Sequence, residues 1–243
     1  MELNTIYNED CLEGMKRIPD KSIDMVLCDL PYGTTACKWD IVIPFEQLWA
    51  QYNRIVKDNA AVVLFSDEPF TYSLIKSNLK NFRYKWIWIK EQGSNFQNAK
   101  RMPMKCHEEI VVFYKKLPVY NPQWWFSKPY KIKRYDSAVE ISGGRLRRNG
   151  GTISEDGRRY PLSTLNFPRE KGLHPTQKPV PLLEYLIKTY SNENDVILDN
   201  CFGSGSILVA AVNTGRNYIG FETERKYYDI ACQRLEEAKH KIL

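Results

Sequence analysis

The chain has no apolar run approaching the roughly 18 to 20 residues of a membrane span. Its first residues, Met1-Glu2-Leu3-Asn4, lack both the basic and the apolar regions of a secretory leader. It is also poor in the residues that staple or metallate small folds. Six cysteines (Cys11, Cys28, Cys37, Cys106, Cys201 and Cys232) are scattered without a C-x-x-C pair, and there are three histidines. Neither a disulfide framework nor a metal site is expected; reduced thiols point to a cytoplasmic protein away from the membrane. Internal repeats and low-complexity tracts are missing too. What remains is 243 residues, 43% of them apolar, enough to bury a core in one domain with an elaboration.

The net charge of +6 is localised. Residues 120–171 hold eleven Lys and Arg against five Asp and Glu, while the rest of the chain balances at 24 against 24. Within that segment Trp124, Trp125, Phe126, Tyr130 and Tyr135 are interleaved with basic residues and with the glycine pairs Gly143-Gly144 and Gly150-Gly151. The basic residues are Lys128, Lys131, Lys133, Arg134, Arg145, Arg147, Arg148, Arg158 and Arg159. Positive charge among aromatic rings suits phosphate and base contacts, so these residues are the candidate nucleic-acid surface. A solvated irregular insertion is the plainer reading, and Trp124-Trp125 could pack that insertion instead of meeting bases.

Elsewhere strand and helix patterns alternate, which predicts a mostly parallel sheet covered by helices on both faces. Strands are expected at 23–28, 60–65, 84–89, 110–114, 196–198 and 218–221, and helices at 10–17, 45–57, 68–78, 181–190, 206–213 and 224–239. The polar, glycine-containing stretch 91–109 reads as a mobile loop. The basic segment 120–171 interrupts a domain made of 1–119 and 172–243.

Two strand ends carry chemistry. The first strand runs into Asp29-Leu30-Pro31-Tyr32. An acid, a proline-restricted turn and an aromatic ring thus stand at the carboxyl edge, where open α/β sheets bind ligands. They offer an acceptor, a fixed carbonyl and a stacking face, the groups needed to hold an amine on a flat heterocycle. The second strand end is Asp199-Asn200-Cys201-Phe202-Gly203-Ser204-Gly205-Ser206, between a strand and a helix. Its glycines permit a sharp turn at the positive end of the helix. Glu222 ends the next strand at the spacing of an acid that binds ribose hydroxyls. Leu208 stands where the dinucleotide fingerprint has its third glycine, which favours an adenosine cofactor without phosphate over a nicotinamide one.

These motifs resemble those of the S-adenosylmethionine-dependent DNA amino-methyltransferases. Asp29-Leu30-Pro31-Tyr32 is similar to their catalytic D-P-P-Y, and Phe202-Gly203-Ser204-Gly205 to their F-x-G-x-G. His174-Pro175-Thr176-Gln177-Lys178-Pro179 resembles the segment before that motif, and Gly220-Phe221-Glu222 with Tyr227 the ribose element. Asn8-Glu9-Asp10-Cys11, Trp88-Ile89-Lys90 and His107-Glu108 are also similar to family stretches. The order, catalytic motif then insertion then cofactor motif, is that of the β class. The resemblance covers nearly the whole chain apart from the insertion. It implies a Rossmann-like methyltransferase fold, with 120–171 as a target-recognition insertion whose shortness implies a short target sequence. Asp10, Cys11, Asp29, Thr176, Lys178, Asn200, Phe202, Gly203, Ser204, Gly205 and Glu222 would contact S-adenosylmethionine. Leu30 departs from the family's proline but keeps the backbone carbonyl that the position supplies, and Pro31 still restricts it.

The resemblance further implies that Asp29 and the Leu30 carbonyl accept the two hydrogens of an exocyclic amine, with Tyr32 stacked on a base flipped out of double-stranded DNA. Asp at the head of the motif leans towards N6 of adenine over N4 of cytosine. An RNA methyltransferase, a nicotinamide-dependent oxidoreductase and a non-catalytic DNA-binding relative are the rivals. A homodimer and a cognate restriction endonuclease are the further partners the resemblance leaves open.

Overall fold

From Met25 to Cys28 in the strand Ile23–Asp29, side chains alternate between two cores. Met25 and Leu27 pack into one, Val26 and Cys28 into the other. An apolar residue at every position is what a strand covered on both faces needs. The computed structural model describes residues 1–35, 37, 40–132, 138–141, 144–147, 152–170 and 177–241. They fall into two units, Met1–Asn121 with Ser163–Leu243, and Pro122–Leu162.

The larger unit is built on an eight-stranded sheet. Its strands are β1 (Thr5–Tyr7), β2 (Ile23–Asp29), β3 (Val56–Ser66), β4 (Phe82–Ser94), β5 (Lys105–Phe113), β6 (Thr164–Asn166), β7 (Val196–Asp199) and β8 (Asn217–Phe221). The order across the sheet is β1-β8-β7-β2-β3-β5-β4-β6. Every neighbouring pair is parallel except those that β5 makes with β3 and β4. Helices α1 (Cys11–Met15), α2 (Phe45–Ile55) and α3 (Phe70–Ser77) bury Met15, Leu48, Tyr52 and Leu74 on one face. Helices α4 (Val180–Tyr190), α5 (Ser206–Asn213) and α6 (Arg225–His240) bury Leu186, Leu208, Ala231 and Leu235 on the other. This is the three-layer Rossmann-like arrangement expected.

Two expectations fail in instructive ways. Residues 91–109 are not one mobile loop, because β4 and β5 run on into them as an antiparallel ribbon. The tip is closed by a 3₁₀ turn, Phe96–Asn98. The ribbon is largely exposed there, so no apolar alternation marks it as strand. The insertion is also shorter than 120–171. Its compact unit ends at Leu162, and β6 returns to the sheet beside β4 with Leu165 buried opposite Trp88. Three residues are too few to show a period, which is also why β1 left no signal.

The smaller unit pairs Trp125–Phe126 with Arg158–Arg159, Tyr130–Ile132 with Thr152–Ser154, and Ala138–Ile141 with Gly144–Arg147, all antiparallel. The pairs nest, so the described residues of the unit run as one irregular hairpin. Among the described residues no helix is long and apolar enough to cross a membrane, and no cluster suits a metal ion.

Candidate active site

Asp29 is the last residue of β2, Asp199 the last of β7, and Glu222 follows β8 directly. From β2 the chain builds outward through β3, while β7 and β8 lie on the opposite side. The carboxyl ends of β2 and β7 therefore flank a topological switch point. A cleft of about 810 Å³ opens there, large enough for a nucleoside ligand. Asp29, Leu30, Pro31 and Tyr32 line it together with Asp10, Cys11, Lys178, Asn200, Phe202, Gly203, Ser204 and Glu222. Gly205 lies just behind, as the N-cap of α5. Thr176, with His174 and Pro175, lies outside the described residues.

The glycine turn is set by backbone conformation. Gly203 and Gly205 have φ of +50° and +79°, a region that a Cβ disfavours. A Cβ on Gly205 would also come within 2.8 Å of the Ala231 Cβ of α6. The turn is tied to the next strand by the Gly203 N–H, which donates to Glu222 Oε2 at 2.8 Å. Asp10 caps α1, its Oδ1 accepting from the Leu12 and Glu13 N–H groups at 2.8 and 3.2 Å. Asn200 reaches the cleft wall but acts as an anchor. Its Oδ1 accepts from Tyr52 Oη at 2.5 Å, and its Nδ2 lies 3.6 and 3.4 Å from the Cys11 and Cys201 sulfurs.

The charge of the cleft identifies the class of ligand. Eight carboxylate residues line it besides the buried Asp199, whose carboxyl is pushed up to about 8, against Lys90, Arg169 and Lys178. Lys178 and Lys90 are both occupied by acids. Such a lining opposes a phosphate-bearing dinucleotide and favours a ligand with net positive charge. The glycine turn, Glu222 and this acidic wall fit S-adenosylmethionine, whose adenosine needs no phosphate cradle and whose sulfonium is cationic.

Asp29 does not cap a turn. Its Oδ1 accepts from Tyr32 Oη at 2.7 Å and its Oδ2 from Lys178 Nζ at 2.5 Å. Lys178 also pairs with Glu108 Oε2 at 3.4 Å, and Glu108 in turn binds Lys90. Four alternating charges thus run from β2 to the β4–β5 ribbon. Burial raises the Asp29 carboxyl above the usual carboxylate range, an effect that Lys178 opposes and Glu108 reinforces. At Glu108 burial pushes the same way, but Lys178 and then Lys90 outweigh it and the carboxyl is lowered. Lys178, expected at the cofactor, lines the same cleft, with its ammonium on Asp29 Oδ2.

Glu108 and Lys90 were noted only as stretches of sequence. Their signal, a charged residue closing an otherwise apolar strand, gains meaning only from the register that sets Glu108 opposite Trp88, one diagonal step from Lys90. Two supports left no signal at all. Phe70 stacks on Tyr32 with centroids 4.9 Å apart. Asp40 accepts from the Gly33, Thr34 and Thr35 N–H groups at 2.7 to 2.9 Å, fixing the chain that leaves the Pro31-Tyr32 turn.

In the smaller unit Lys128, Lys131 and Arg158 are exposed, although Arg158 pairs with Asp156. Arg159 is an internal brace. It donates to Lys128 O and Ser154 Oγ at 2.5 and 2.7 Å and lies over the Tyr130 ring. The strand Gly144–Arg147 carries Arg145 and Arg147, whereas Lys133, Arg134, Tyr135, Gly143, Arg148 and Gly150-Gly151 lie outside the described residues. Trp124, Trp125, Phe126 and Tyr160 are all exposed.

Known proteins agree with this geometry. M.HinfI, a type II methyltransferase of Haemophilus influenzae, is 30% identical over 267 residues, covering 98% of this chain and 69% of its own. The DNA adenine methyltransferase YhdJ of Escherichia coli (strain K12) is 27% identical, covering 98% of this chain and 85% of its own. Among solved structures, the complex of M1.HpyAVI with SAM superposes with a TM-score of 0.64 at 24% identity, over 95% of this chain and 98% of that one. The cytosine-N4-specific PvuII DNA methyltransferase does so with 0.69 at 14%, over 100% and 93%. The family model described as DNA methylase matches residues 23–233. With a switch-point cleft shaped for an adenosine cofactor and an acid, a turn and a ring at its floor, the chain belongs to the DNA methylase family.

Proposed function

We infer that the protein transfers a methyl group from S-adenosylmethionine to the exocyclic N6 of adenine in double-stranded DNA, with the base flipped into the cleft. The observation that carries this is the placement of Asp29 at the cleft floor, its carboxylate poised between Tyr32 and Lys178. The amine of adenine is a weak nucleophile because its lone pair is delocalised into the ring. Asp29 Oδ1 and the Leu30 carbonyl accept its two hydrogens and localise that pair on nitrogen. Asp29 Oδ1 is now held by Tyr32, so entry of the amine displaces that hydroxyl and leaves the Tyr32 ring to stack on the base. S-adenosylmethionine, when bound, supplies the electrophilic methyl. Glu222 and the Gly203–Gly205 turn hold its ribose side, and the raised proton affinity of Asp29 suits it to take the proton the nitrogen sheds. Orientation and electrostatics supply most of the rate.

The smaller unit, Pro122–Leu162, is the target-recognition element of this proposal; its exposed aromatic and basic side chains support it. The type II name carried by M.HinfI supports a cognate restriction endonuclease. Six free cysteines suit a reducing cytosol. Self-association as a homodimer is read by sedimentation.

The test is incubation with isotope-labelled S-adenosylmethionine and mixed-sequence duplex DNA, digestion to nucleosides, and mass spectrometry. Labelled N6-methyladenine is expected. Labelled N4-methylcytosine would keep the chemistry and overturn the base, and label only in RNA would overturn the substrate.

A further inference from the structure

The register of the sheet measures how far the β4–β5 ribbon reaches past the catalytic acid. Asp29 is level with Phe65, Phe65 with Ile110, and Ile110 with Trp86. β4 is parallel to β2, so its carboxyl end points to the edge where the cleft opens. From Ile110 back to Lys105 the ribbon overshoots Asp29 by about 17 Å, at ~3.4 Å per residue. Lys90 and Glu108 at its base line the cleft.

The tip of this ribbon is ordered, and it displays apolar groups to solvent. Asn95 turns the chain with φ +64°, and its Oδ1 accepts from Asn98 Nδ2 at 2.7 Å. Four backbone bonds close the turn, from Asn98, Ala99, Arg101 and Met102 to Asn95, Phe96 and Asn98 carbonyls. Ser94 Oγ donates to Lys105 O at 3.0 Å across the neck. Yet Phe96 is 78% exposed and Met102 51%. Between Gln92 and His107 stand Lys100, Arg101 and Lys105, with no acid. Lys105 is paired with Asp67, whereas Lys100 and Arg101 are exposed and form no ion pair among the described residues.

We propose that this ribbon is a DNA-contacting arm, with Phe96 as an apolar wedge that fills the stacking gap beside the flipped adenine and with Lys100 and Arg101 on phosphates. The proposal rests on the DNA methylation inferred above. A two-stranded ribbon fits a major groove about 12 Å wide, and Phe and Met are the side chains that wedge between base steps. Flipping opens such a gap, and the apolar face that fills it must be held near the mouth of the pocket that receives the base. An ordered turn that keeps a phenyl ring in water, beside cations and away from acids, has the chemistry for that position.

The experiment compares wild type, Phe96→Ala and Lys100→Ala/Arg101→Ala, each as the full chain. Three quantities are read: Kd for S-adenosylmethionine, kcat/KM for methyl transfer to mixed-sequence duplex DNA, and the slope of log Kd for that duplex against log salt. Phe96→Ala should lose about 5- to 150-fold in kcat/KM with cofactor Kd unchanged, the size of one base–aromatic stack. The double variant should flatten the salt slope by about 0.9 for each phosphate it no longer neutralises. Unchanged kcat/KM in the first or an unchanged slope in the second overturns the proposal. A matching loss of cofactor affinity, which traces the defect to a disturbed cleft, also overturns it. Absence of any label from DNA with wild type would instead count against the proposed function, and the salt slope would still test the arm.

Discussion

Lys178 Nζ lies 2.5 Å from Asp29 Oδ2, and it is the only ammonium among the described residues paired with that carboxylate. Burial raises Asp29, and Lys178 then Glu108 act on it in opposite senses. Tyr32, Lys90, Cys28 and Asp199 are the other titratable groups of its surroundings. In the proposed reaction Asp29 can take the proton shed by the amine only when ionised, so activity should rise with pH through a value above the ordinary carboxylate range. Lys178→Met removes the stabilising charge and should move the acid limb of kcat/KM up. Glu108→Gln removes an opposing charge and should move it down. A purely structural role would depress both profiles without shifting them in opposite directions.

Tyr32 has two proposed duties, which substitution separates. Tyr32→Phe removes the hydroxyl bonded to Asp29 but keeps the ring stacked on Phe70, and kcat should fall less than about 10-fold. Tyr32→Ala removes the stacking face, worth about 1–3 kcal/mol, and kcat/KM for DNA should fall by about 5- to 150-fold. Equal losses in the two variants would mean that the hydroxyl, not the ring, carries the function.

These side chains were legible in unequal degree, for physical reasons. Asp29, Tyr32, Gly203 and Glu222 sit where strands end, and both a strand end and a glycine turn are local patterns. Met25 and Val26 announced a doubly covered strand in the same way. Glu108 could not be read as part of the site, because it meets Lys178 only after β5 reverses beside β3 and α4 returns across the sheet. The ribbon tip was misread for the opposite reason. Phe96 and Met102 lie in a stretch whose alternation is erased by solvent on both sides. Arg159 resembled its basic neighbours in sequence, and only the Tyr130 ring and the Lys128 carbonyl show it to be a brace.

Gly205 should tolerate no side chain. Its φ of +79° and the 2.8 Å approach of the Ala231 Cβ both oppose one. Gly205→Ala should cost about 1–3 kcal/mol in stability and weaken cofactor binding, as read by urea unfolding and calorimetry. Wild-type values in both measurements would show that α6 can yield and that the turn is not confined.

Asp199 makes stability depend on pH. Burial pushes its carboxyl up to about 8, against the pull of the Cys201 N–H that it accepts at 3.2 Å. The unfolded chain titrates this group near ~3.9, so from about 4 to about 8 the fold holds a proton that the unfolded chain releases. The stability from this group is therefore complete below the unfolded value and is lost as pH rises through the folded one. Asp199→Asn has no such loss. Its stability relative to wild type should improve between pH 5 and pH 8.5, by about 4 kcal/mol. A difference that does not change with pH would show that Asp199 is ionised in the fold.

In the smaller unit, charge and brace can be told apart. Lys128 and Lys131 are exposed, so their proposed contribution to DNA binding is counterion release, which adds about 0.9 to the salt slope for each phosphate neutralised. Lys128→Ala/Lys131→Ala should flatten the slope and leave resistance to proteolysis within 122–162 unchanged. Arg159 is different, because its guanidinium holds Lys128 O, Ser154 Oγ and the face of Tyr130 together. Arg159→Ala should open the hairpin to proteolysis within 122–162 and weaken DNA binding, while cofactor binding in the larger unit stays at its wild-type Kd. Arg159→Lys keeps the charge but lacks the planar fork that makes those contacts, so it should fail as a rescue. If lysine restored both protease resistance and DNA affinity, positive charge alone would be the requirement at this position, and Arg159 would belong with Lys128 and Lys131 on the phosphate-facing surface.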